Sequence, residues 1–208
     1  MDKDIMEKLQ KIYNFTKNKG ITLLYGPPKS YKTLLVLYIL SHSQVQRKYY
    51  IANTKHKRIK LQESDVEVYK PDSFVEEIAL LFELEKNIKL CNIASAILAW
   101  DTIIGNFSFI TAYLENTIAL KLLFLALNQM RHLNETYGVK IIIVNLSEKE
   151  DIPLLWKYMR NYVLNLIQTK IKNDRLIVTL KNNMMETEDE IKIPLKEILH
   201  AKFGRTSI

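Results

Sequence analysis

The chain has 208 residues, 48% of them hydrophobic and 25% charged, an ordinary composition for one globular domain with a sizeable core. The single cysteine, Cys91, excludes a disulfide framework and a cysteine-rich zinc site, and we expect its thiol to be buried. The net charge of +7 leaves two interpretations open. The excess Lys and Arg residues either serve an anionic partner, usually nucleic acid, or form a lysine-rich solvated surface.

The sequence also predicts a soluble, cytoplasmic protein without a membrane partner. The N-terminal stretch MDKDIMEKLQKIYNF is charged and amphipathic, and it lacks the apolar core of a signal peptide. The most apolar region, residues 93–127, is interrupted by Asp101, Glu115 and Lys121. No uncharged stretch is therefore long enough to span a bilayer.

Apolar periodicity predicts helices that alternate with strands along most of the chain. In chain order, the pattern predicts a helix over 4–17, a strand over 21–25, a helix over 33–43, strands over 48–52 and 66–69, a helix over 73–86, a strand over 94–100, a long helix over 111–137 closed by Gly138, and a strand over 140–146. Strands that are apolar on both faces and alternate with helices indicate a mostly parallel sheet covered on both sides, which is an α/β fold.

The C-terminal part of the chain has a different pattern. Residues 162–171 alternate between apolar and polar, and the segments RLIVTLKN and EIKIP follow after turns. These segments are typical of antiparallel strands added to one edge of the sheet. We therefore predict a single domain with an N-terminal helix in 1–20, a nucleotide-binding-type core in 21–161 and C-terminal strands in 162–208.

The stretch ITLLYGPPKSYKT places a glycine turn between a predicted strand and a predicted helix. It nearly matches the phosphate-binding pattern G-x-x-x-x-G-K-S/T, with Tyr31 in place of the second glycine. Backbone N–H groups at the start of the helix would face the phosphates, Lys32 would reach the β- and γ-phosphates, and the Thr33 hydroxyl would bind Mg²⁺. The candidate nucleotide-binding residues are Gly26, Pro27, Pro28, Lys29, Ser30, Tyr31, Lys32 and Thr33. The alternative is a chance match, because tyrosine is sterically disfavoured where glycine has a positive φ.

Asp101 follows an apolar strand, as the aspartate that orients Mg²⁺ does in such sites, although Asp ends many strands. With these motifs in this order, the chain resembles the RecA-type ATPase core, and in particular the paralogues of archaeal RadA recombinases (RadB- and RadC-like). The resemblance rests on five segments in the expected order: ITLLYGPPKSYKT, KYYIANTKHKRI, AILAWDTIIG, LALNQMRHLNETYGVKIIIVNL and LLWKYMRNYVLNLIQTKIKNDRLIVTLKNN. It implies a RecA-like P-loop fold, ATP or ADP with Mg²⁺ as cofactor, and Thr33 and Asp101 as the metal-binding residues.

The departures from the family pattern concern hydrolysis. Tyr31 replaces the second glycine, and Lys55 falls where the family has the glutamate that polarises the attacking water, so we name no catalytic residue. At the γ-phosphate sensor, Asn145 is followed by Leu146 instead of glutamine. A protonated lysine does not accept a proton, and leucine offers no hydrogen bond to a phosphate. The resemblance therefore implies weak or absent hydrolysis, with nucleotide binding weak or lost; a shift of the alignment by one or two residues is the alternative for Lys55.

In this family, two mobile loops bind DNA. The first would be residues 104–111, where Phe107 and Phe109 either stack on bases or pack in the core. The second would be residues 147–154, in which three of the four charged residues are acidic, so that this loop would repel phosphate. Basic residues that would give salt-sensitive DNA binding, or a solvated surface, lie elsewhere: Lys55, Lys57, Arg58 and Lys60; Lys170, Lys172 and Arg175; and Lys202 with Arg205.

Three functions fit this sequence. The first is a non-hydrolysing accessory protein of DNA recombination and repair that binds a RadA-type recombinase, another paralogue or single-stranded DNA. The second is an active or signalling ATPase of the RecA- and KaiC-like superfamily, which would need a catalytic base that we do not identify. The third is a structural subunit with a vestigial nucleotide site.

Overall fold

The structure is a computed structural model that describes residues 3–17, 20–52, 65–149 and 151–200. Helices and strands alternate through most of these ranges. Their order is α1 (Lys3–Phe15), β1 (Ile21–Gly26), α2 (Lys32–His42), β2 (Arg47–Ala52), β3 (Val66–Tyr69), α3 (Phe74–Leu90), β4 (Ala96–Asp101), α4 (Ile103–Tyr113), α5 (Asn116–Tyr137), β5 (Lys140–Lys149), β6 (Ile152–Pro153), α6 (Trp156–Met159), β7 (Val163–Lys172), β8 (Arg175–Asn182), β9 (Thr187–Pro194) and α7 (Leu195–His200).

The strands form one sheet in the order β3-β2-β4-β5-β1-β7-β8-β9, with β6 paired to β5. Neighbours from β3 to β7 run parallel, and β8 and β9 continue the sheet antiparallel. The predicted α/β fold, with a mostly parallel sheet and antiparallel C-terminal strands, is confirmed. One detail differs, because β7 pairs in parallel with β1 and only its other edge is antiparallel.

Helices cover both faces of the sheet. On one side, α3, α4 and α5 pack against strand residues such as Leu23, Leu98 and Ile143; we call this the α3–α5 face. On the other side, α1 and α2 pack against residues such as Leu24 and Val144; we call this the α1–α2 face. Consecutive strand residues point to opposite faces, so strands that are apolar throughout need cover on both sides.

The ends of the helices follow local backbone chemistry. The Ser73 side chain accepts a hydrogen bond from the N–H of Glu76 at 3.2 Å and caps α3. Gly138 ends α5 with a φ of 66°, a left-handed conformation that glycine adopts without steric cost. Among the described residues, no helix combines the length and the apolar character that crossing a bilayer requires.

Two expectations from the sequence are wrong: an unbroken helix over 111–137, and a buried thiol at Cys91. The predicted helix over 111–137 is divided, because Leu114 and Glu115 have non-helical backbone between α4 and α5. Apolar residues continue through that break, so periodicity does not reveal it. Cys91 is exposed, because it is the C-cap residue of α3, where the chain turns at the surface.

A buried carboxyl group, that of Glu77, lies between α3 and α4. Its Oε1 accepts a hydrogen bond from Nδ2 of Asn106 at 3.0 Å, whereas neither its Oε2 nor the neighbouring indole N–H of Trp100 has a hydrogen-bond partner of normal geometry. Burial raises the pKa of Glu77 to about 8, and Trp100 and Asn106 oppose the shift only in part. The protonated form is therefore the one that this packing favours.

We expect Glu77 to make the folded state less stable as the pH rises from 4.5 to 8. Over that range the folded protein retains a proton that the unfolded chain has already lost, so folding becomes less favourable with each unit. Glu77→Gln keeps the shape without the charge and should raise the free energy of unfolding at pH 9 by about 1–3 kcal/mol. Urea denaturation at several pH values measures this, with the exposed Glu83→Gln as control; an unchanged pH profile in Glu77→Gln would contradict it.

Candidate functional site

The turn between β1 and α2 has two residues in the left-handed conformation. Lys29 has a φ of 61°, and Tyr31, the residue before α2, has a φ of 58° and a ψ of 22°. Tyr31 thus adopts the backbone conformation that the second glycine of the pattern would allow, at a cost of about 1–2 kcal/mol. Its ring is partly buried against the α1–α2 face, and its side chain does not cap the helix. The first-turn N–H groups of α2 therefore have no cap from this residue.

Lys32 is only 8% exposed and bends back over the turn. Its Nζ donates to the carbonyl oxygens of Gly26 at 3.1 Å and Pro27 at 2.7 Å, and to Oγ of Ser30 at 3.2 Å. Burial lowers the pKa of Lys32 to about 8, although the nearby Asp101 carboxylate opposes the shift. The ammonium group is thus surrounded by three oxygen acceptors at the start of α2.

Asp101, at the end of β4, is the acidic centre of the site and is 1% exposed. Its Oδ2 accepts hydrogen bonds from Thr33 Oγ1 at 2.6 Å and from Tyr50 OH at 2.8 Å, and its Oδ1 accepts one from Thr102 Oγ1 at 3.0 Å. Burial and the Asp101 carboxylate raise the pKa of Tyr50 above its ordinary value, so the phenol remains a donor. The structure therefore brings Lys32, Thr33 and Asp101 together at the carboxyl ends of β1 and β4.

The turn is also attached to β7. Ser30 Oγ and Thr169 Oγ1 are 2.8 Å apart, and Thr169 Oγ1 donates to the carbonyl oxygen of Tyr25 at 3.3 Å. The backbones approach so closely that a Cβ at Gly26 would lie 2.2 Å from the carbonyl oxygen of Thr169. Glycine is therefore required at position 26 because a side chain would collide with β7. Its backbone conformation is not the reason, since its φ is not positive.

The two residues predicted at the sensor position have other roles in this structure. Asn145 is fully buried, and its Nδ2 donates to the carbonyl oxygen of Leu154 at 2.6 Å, which holds the segment after β6 against the sheet. Leu146 lies opposite Gly26 in the β1–β5 ladder and lines an open cavity next to Thr102. In this conformation neither side chain forms part of the Thr33–Asp101 cluster.

The first predicted DNA loop, residues 104–111, is wrong as a loop, because these residues form most of α4. Phe107 is buried, with its ring 5.3 Å from that of Phe74, so it is core and not a base-stacking residue. Phe109 is 58% exposed and lines a cavity of about 470 Å³ together with Thr102 and Leu146. The segment continues directly from β4 into an apolar helix.

The second predicted loop, residues 147–154, is mostly a short hairpin. β5 extends to Lys149, and β6 returns beside it, with Ser147 opposite Pro153. Asp151 in the turn accepts a hydrogen bond from Lys170 of β7 at 2.6 Å. The basic residues Lys55, Lys57, Arg58, Lys60, Lys202 and Arg205 lie outside the described residues, and with them the expected catalytic-base position.

Sequence reasoning missed the Tyr50 hydroxyl on Asp101 and the Ser30–Thr169 pair. Tyr50 reaches Asp101 because β2 lies beside β4, and Thr169 reaches the turn because β7 lies beside β1. Strand order is a property of the folded sheet, so nothing local in the sequence marks either residue. A polar residue inside an apolar strand is the only signal available for both.

Comparison with known proteins does not name a family. No family model matches the chain, and no curated protein matches it. Among the described residues, no three His, Cys, Asp or Glu side chains form a group that would hold a metal ion by themselves. Inferences about function therefore start from the geometry around Lys32, Thr33 and Asp101.

We expect Gly26→Ala to destabilise the protein by about 2–3 kcal/mol, because the new Cβ would displace β7. Gly138→Ala is the matched control: a Cβ there meets nothing within 4 Å, and only the positive φ has a cost, of about 1 kcal/mol. Thermal denaturation of both variants measures the difference. An equal or smaller loss in Gly26→Ala would mean that β1 and β7 are not packed this closely.

Proposed function

We propose that this chain is an accessory protein of DNA recombination and repair, similar to a RadA paralogue with a RecA-like P-loop core, that acts in the cytoplasm. It binds ATP or ADP with Mg²⁺ at residues 26–33 and hydrolyses the nucleotide weakly or not at all. Its partner is a RadA-type recombinase or another paralogue, with single-stranded DNA as a further ligand. The observation that carries the proposal is the 2.6 Å hydrogen bond between Thr33 and Asp101 beside the buried amine of Lys32.

The residues present fit a nucleotide with Mg²⁺. Thr33 and Asp101 offer a hydroxyl and a carboxylate, the hard oxygen ligands that Mg²⁺ takes one or two at a time beside water and phosphate. When bound, the ion would neutralise charge on the phosphate oxygens. The first-turn N–H groups of α2 and the ammonium of Lys32 are the donors for those oxygens, and Lys32 would exchange its carbonyl partners for phosphate.

Among the described residues that form hydrogen bonds with Asp101, none is a general base. Its described partners are the hydroxyl groups of Thr33, Tyr50 and Thr102, which donate to it. A base must accept a proton from water, and hydroxyl groups at neutral pH do not do so efficiently. Together with Lys55 at the position expected for glutamate, this supports binding without efficient turnover.

The α4 surface favours a protein partner over DNA at this edge of the sheet. Residues 102–114 contain no charged side chain, while Phe109, Tyr113 and Leu114 are exposed. Nucleic-acid affinity depends largely on Lys and Arg contacts to phosphate, which this helix does not offer. An exposed apolar helix beside a cavity is typical of a protein contact.

A structural subunit with a vestigial site is the second candidate. The three hydrogen bonds of Lys32 to its own turn favour it, because they hold the turn closed without a ligand. The same bonds mean that replacing Lys32 affects stability under either function. Loss of stability in a Lys32 variant therefore does not discriminate, and nucleotide binding has to be measured directly.

We expect calorimetry to detect ATP binding with Mg²⁺ by the wild type, without appreciable turnover. Lys32→Ala should weaken binding at least about tenfold, since it removes a charged donor to phosphate. The exposed Lys29→Ala, in the same turn, is the control and should change affinity little. No heat with the wild type, under conditions where circular dichroism shows it folded, would favour the structural subunit.

Tyr31→Gly should bind ATP within about threefold of the wild type, because Tyr31 already has the left-handed backbone that glycine would adopt. The same calorimetric titration measures this. A gain of tenfold or more in the variant would show that the tyrosine ring, and not the backbone, restricts the site.

ATP affinity should fall as the pH rises from 7 to 9. A lysine whose pKa is about 8 loses its proton over this interval, and phosphate binding requires the charged form. The protonated fraction, and with it the affinity, drops about tenfold. Lys32→Arg remains charged throughout and should give a flat profile; a wild-type affinity that does not change with pH would contradict the assigned role of Lys32.

A further inference from the structure

We propose a second anion-binding site, for a phosphate group, formed by Gln168, Lys170 and Lys181 on the α3–α5 face. In this structure the Asp151 carboxylate occupies the position that the phosphate group would take. The site lies next to the turn of residues 26–33 and shares none of them. It is therefore independent of the nucleotide site proposed above, and either one can fail without the other.

Alternation along neighbouring strands brings these side chains together. Tyr25 of β1 lies opposite Gln168 of β7, and Lys170 follows two residues later on the same face. Lys181 of β8 pairs with Leu166, two residues before Gln168, and so points to that face as well. Three adjacent strands thus direct one phenol, one amide and two ammonium groups to one spot.

The contacts converge on Asp151. Its Oδ1 accepts hydrogen bonds from Nζ of Lys170 at 2.6 Å and from Nε2 of Gln168 at 2.9 Å, and its carbonyl oxygen accepts one from Tyr25 OH at 3.3 Å. Nζ of Lys181 donates to Tyr25 OH at 3.4 Å. These bonds tie the β5–β6 hairpin to β1 and β7.

The donor side chains of this cluster are largely buried, whereas the Asp151 carboxylate is exposed to solvent. Tyr25 and Gln168 are buried, Lys181 is only 8% exposed, and the Asp151 side chain is 64% exposed. An incoming anion can therefore replace the carboxylate without unfolding the sheet. The amide donor of Gln168 and the ammonium of Lys181 are buried beneath the exposed Asp151 carboxylate. Burying polar donors is costly unless they have partners, which distinguishes this cluster from an ordinary surface ion pair.

Charge balance identifies the ligand class. Among the described side chains of this cluster, two ammonium groups face one carboxylate, which leaves one positive charge in excess. Burial lowers the pKa of Lys181 and the Asp151 carboxylate opposes that shift, so an anion of higher charge would hold this lysine protonated. A phosphate group has about two charges and three acceptor oxygens, enough for Gln168, Lys170 and Lys181 at once.

Anion titrations of the 208-residue chain test this proposal. Inorganic pyrophosphate and an oligothymidylate are the two probes, because the phosphate could come from a small polyphosphate or from a nucleic-acid backbone. Both are titrated at low salt in a Lys32→Met background, which disables the first-turn site, at a temperature where circular dichroism shows this background to be folded. Asp151→Asn should tighten binding about tenfold, since it removes the competing charge. Lys170→Met and Lys181→Met should each weaken it by a similar factor.

Two variants serve as matched controls. Asp174→Asn removes an exposed carboxylate in the next turn, and Lys172→Met removes an exposed lysine from the same strand, so neither should change affinity beyond about twofold. Tightening with the oligothymidylate alone assigns the site to a nucleic-acid backbone, and tightening with pyrophosphate assigns it to a small polyphosphate. If Asp151→Asn, folded by circular dichroism, tightens neither probe, or matches Asp174→Asn, the proposal is wrong.

Discussion

The candidate site depends on the hydrogen bonds that three hydroxyl groups donate to the buried Asp101 carboxylate. It is buried at the end of a strand, where an uncompensated charge would be costly, and hydroxyl groups from α2, β2 and the residue that follows β4 stabilise it. Thr33 therefore fixes the first turn of α2 against β4, and Tyr50 fixes β2 beside them. The same bonds that compensate the carboxylate bring a hydroxyl and an acid together at the edge of the sheet, next to the Lys32 amine.

The sequence predicted the architecture well because most elements follow from hydrophobic periodicity. β1, β2, β4 and β5 are apolar on both faces, which requires a sheet covered on both sides, and the alternating strands beyond residue 162 indicated the antiparallel edge. Lys32 and Thr33 are also predictable from the sequence, because glycine followed by Lys-Thr at a strand-to-helix turn is a local pattern, and Asp101 is predictable because it ends an apolar strand. The structure brings these three side chains into one cluster.

What the sequence did not predict depends on long-range packing. The backbone at Tyr31 is left-handed in a turn that contacts β7 through Ser30 and the α1–α2 face through the Tyr31 ring, and these contacts are not local in the sequence. The resemblance to the RecA-type core predicts a loop after β4. The segment instead forms α4, whose apolar residue Phe107 packs against Phe74. A free cysteine is usually buried as a small hydrophobic residue, but Cys91 lies at the end of α3, where the chain turns at the surface and leaves it exposed.

One strand connects the two polar sites. Thr169 of β7 points to the α1–α2 face and bonds Ser30, which in turn accepts a hydrogen bond from Lys32. Its neighbours, Gln168 and Lys170, point to the opposite face and hold Asp151. Adjacent residues of one strand point to opposite faces of the sheet, so β7 supplies side chains to two separate clusters. Thr169 belongs to the cluster around the turn, and Gln168 and Lys170 belong to the cluster around Asp151.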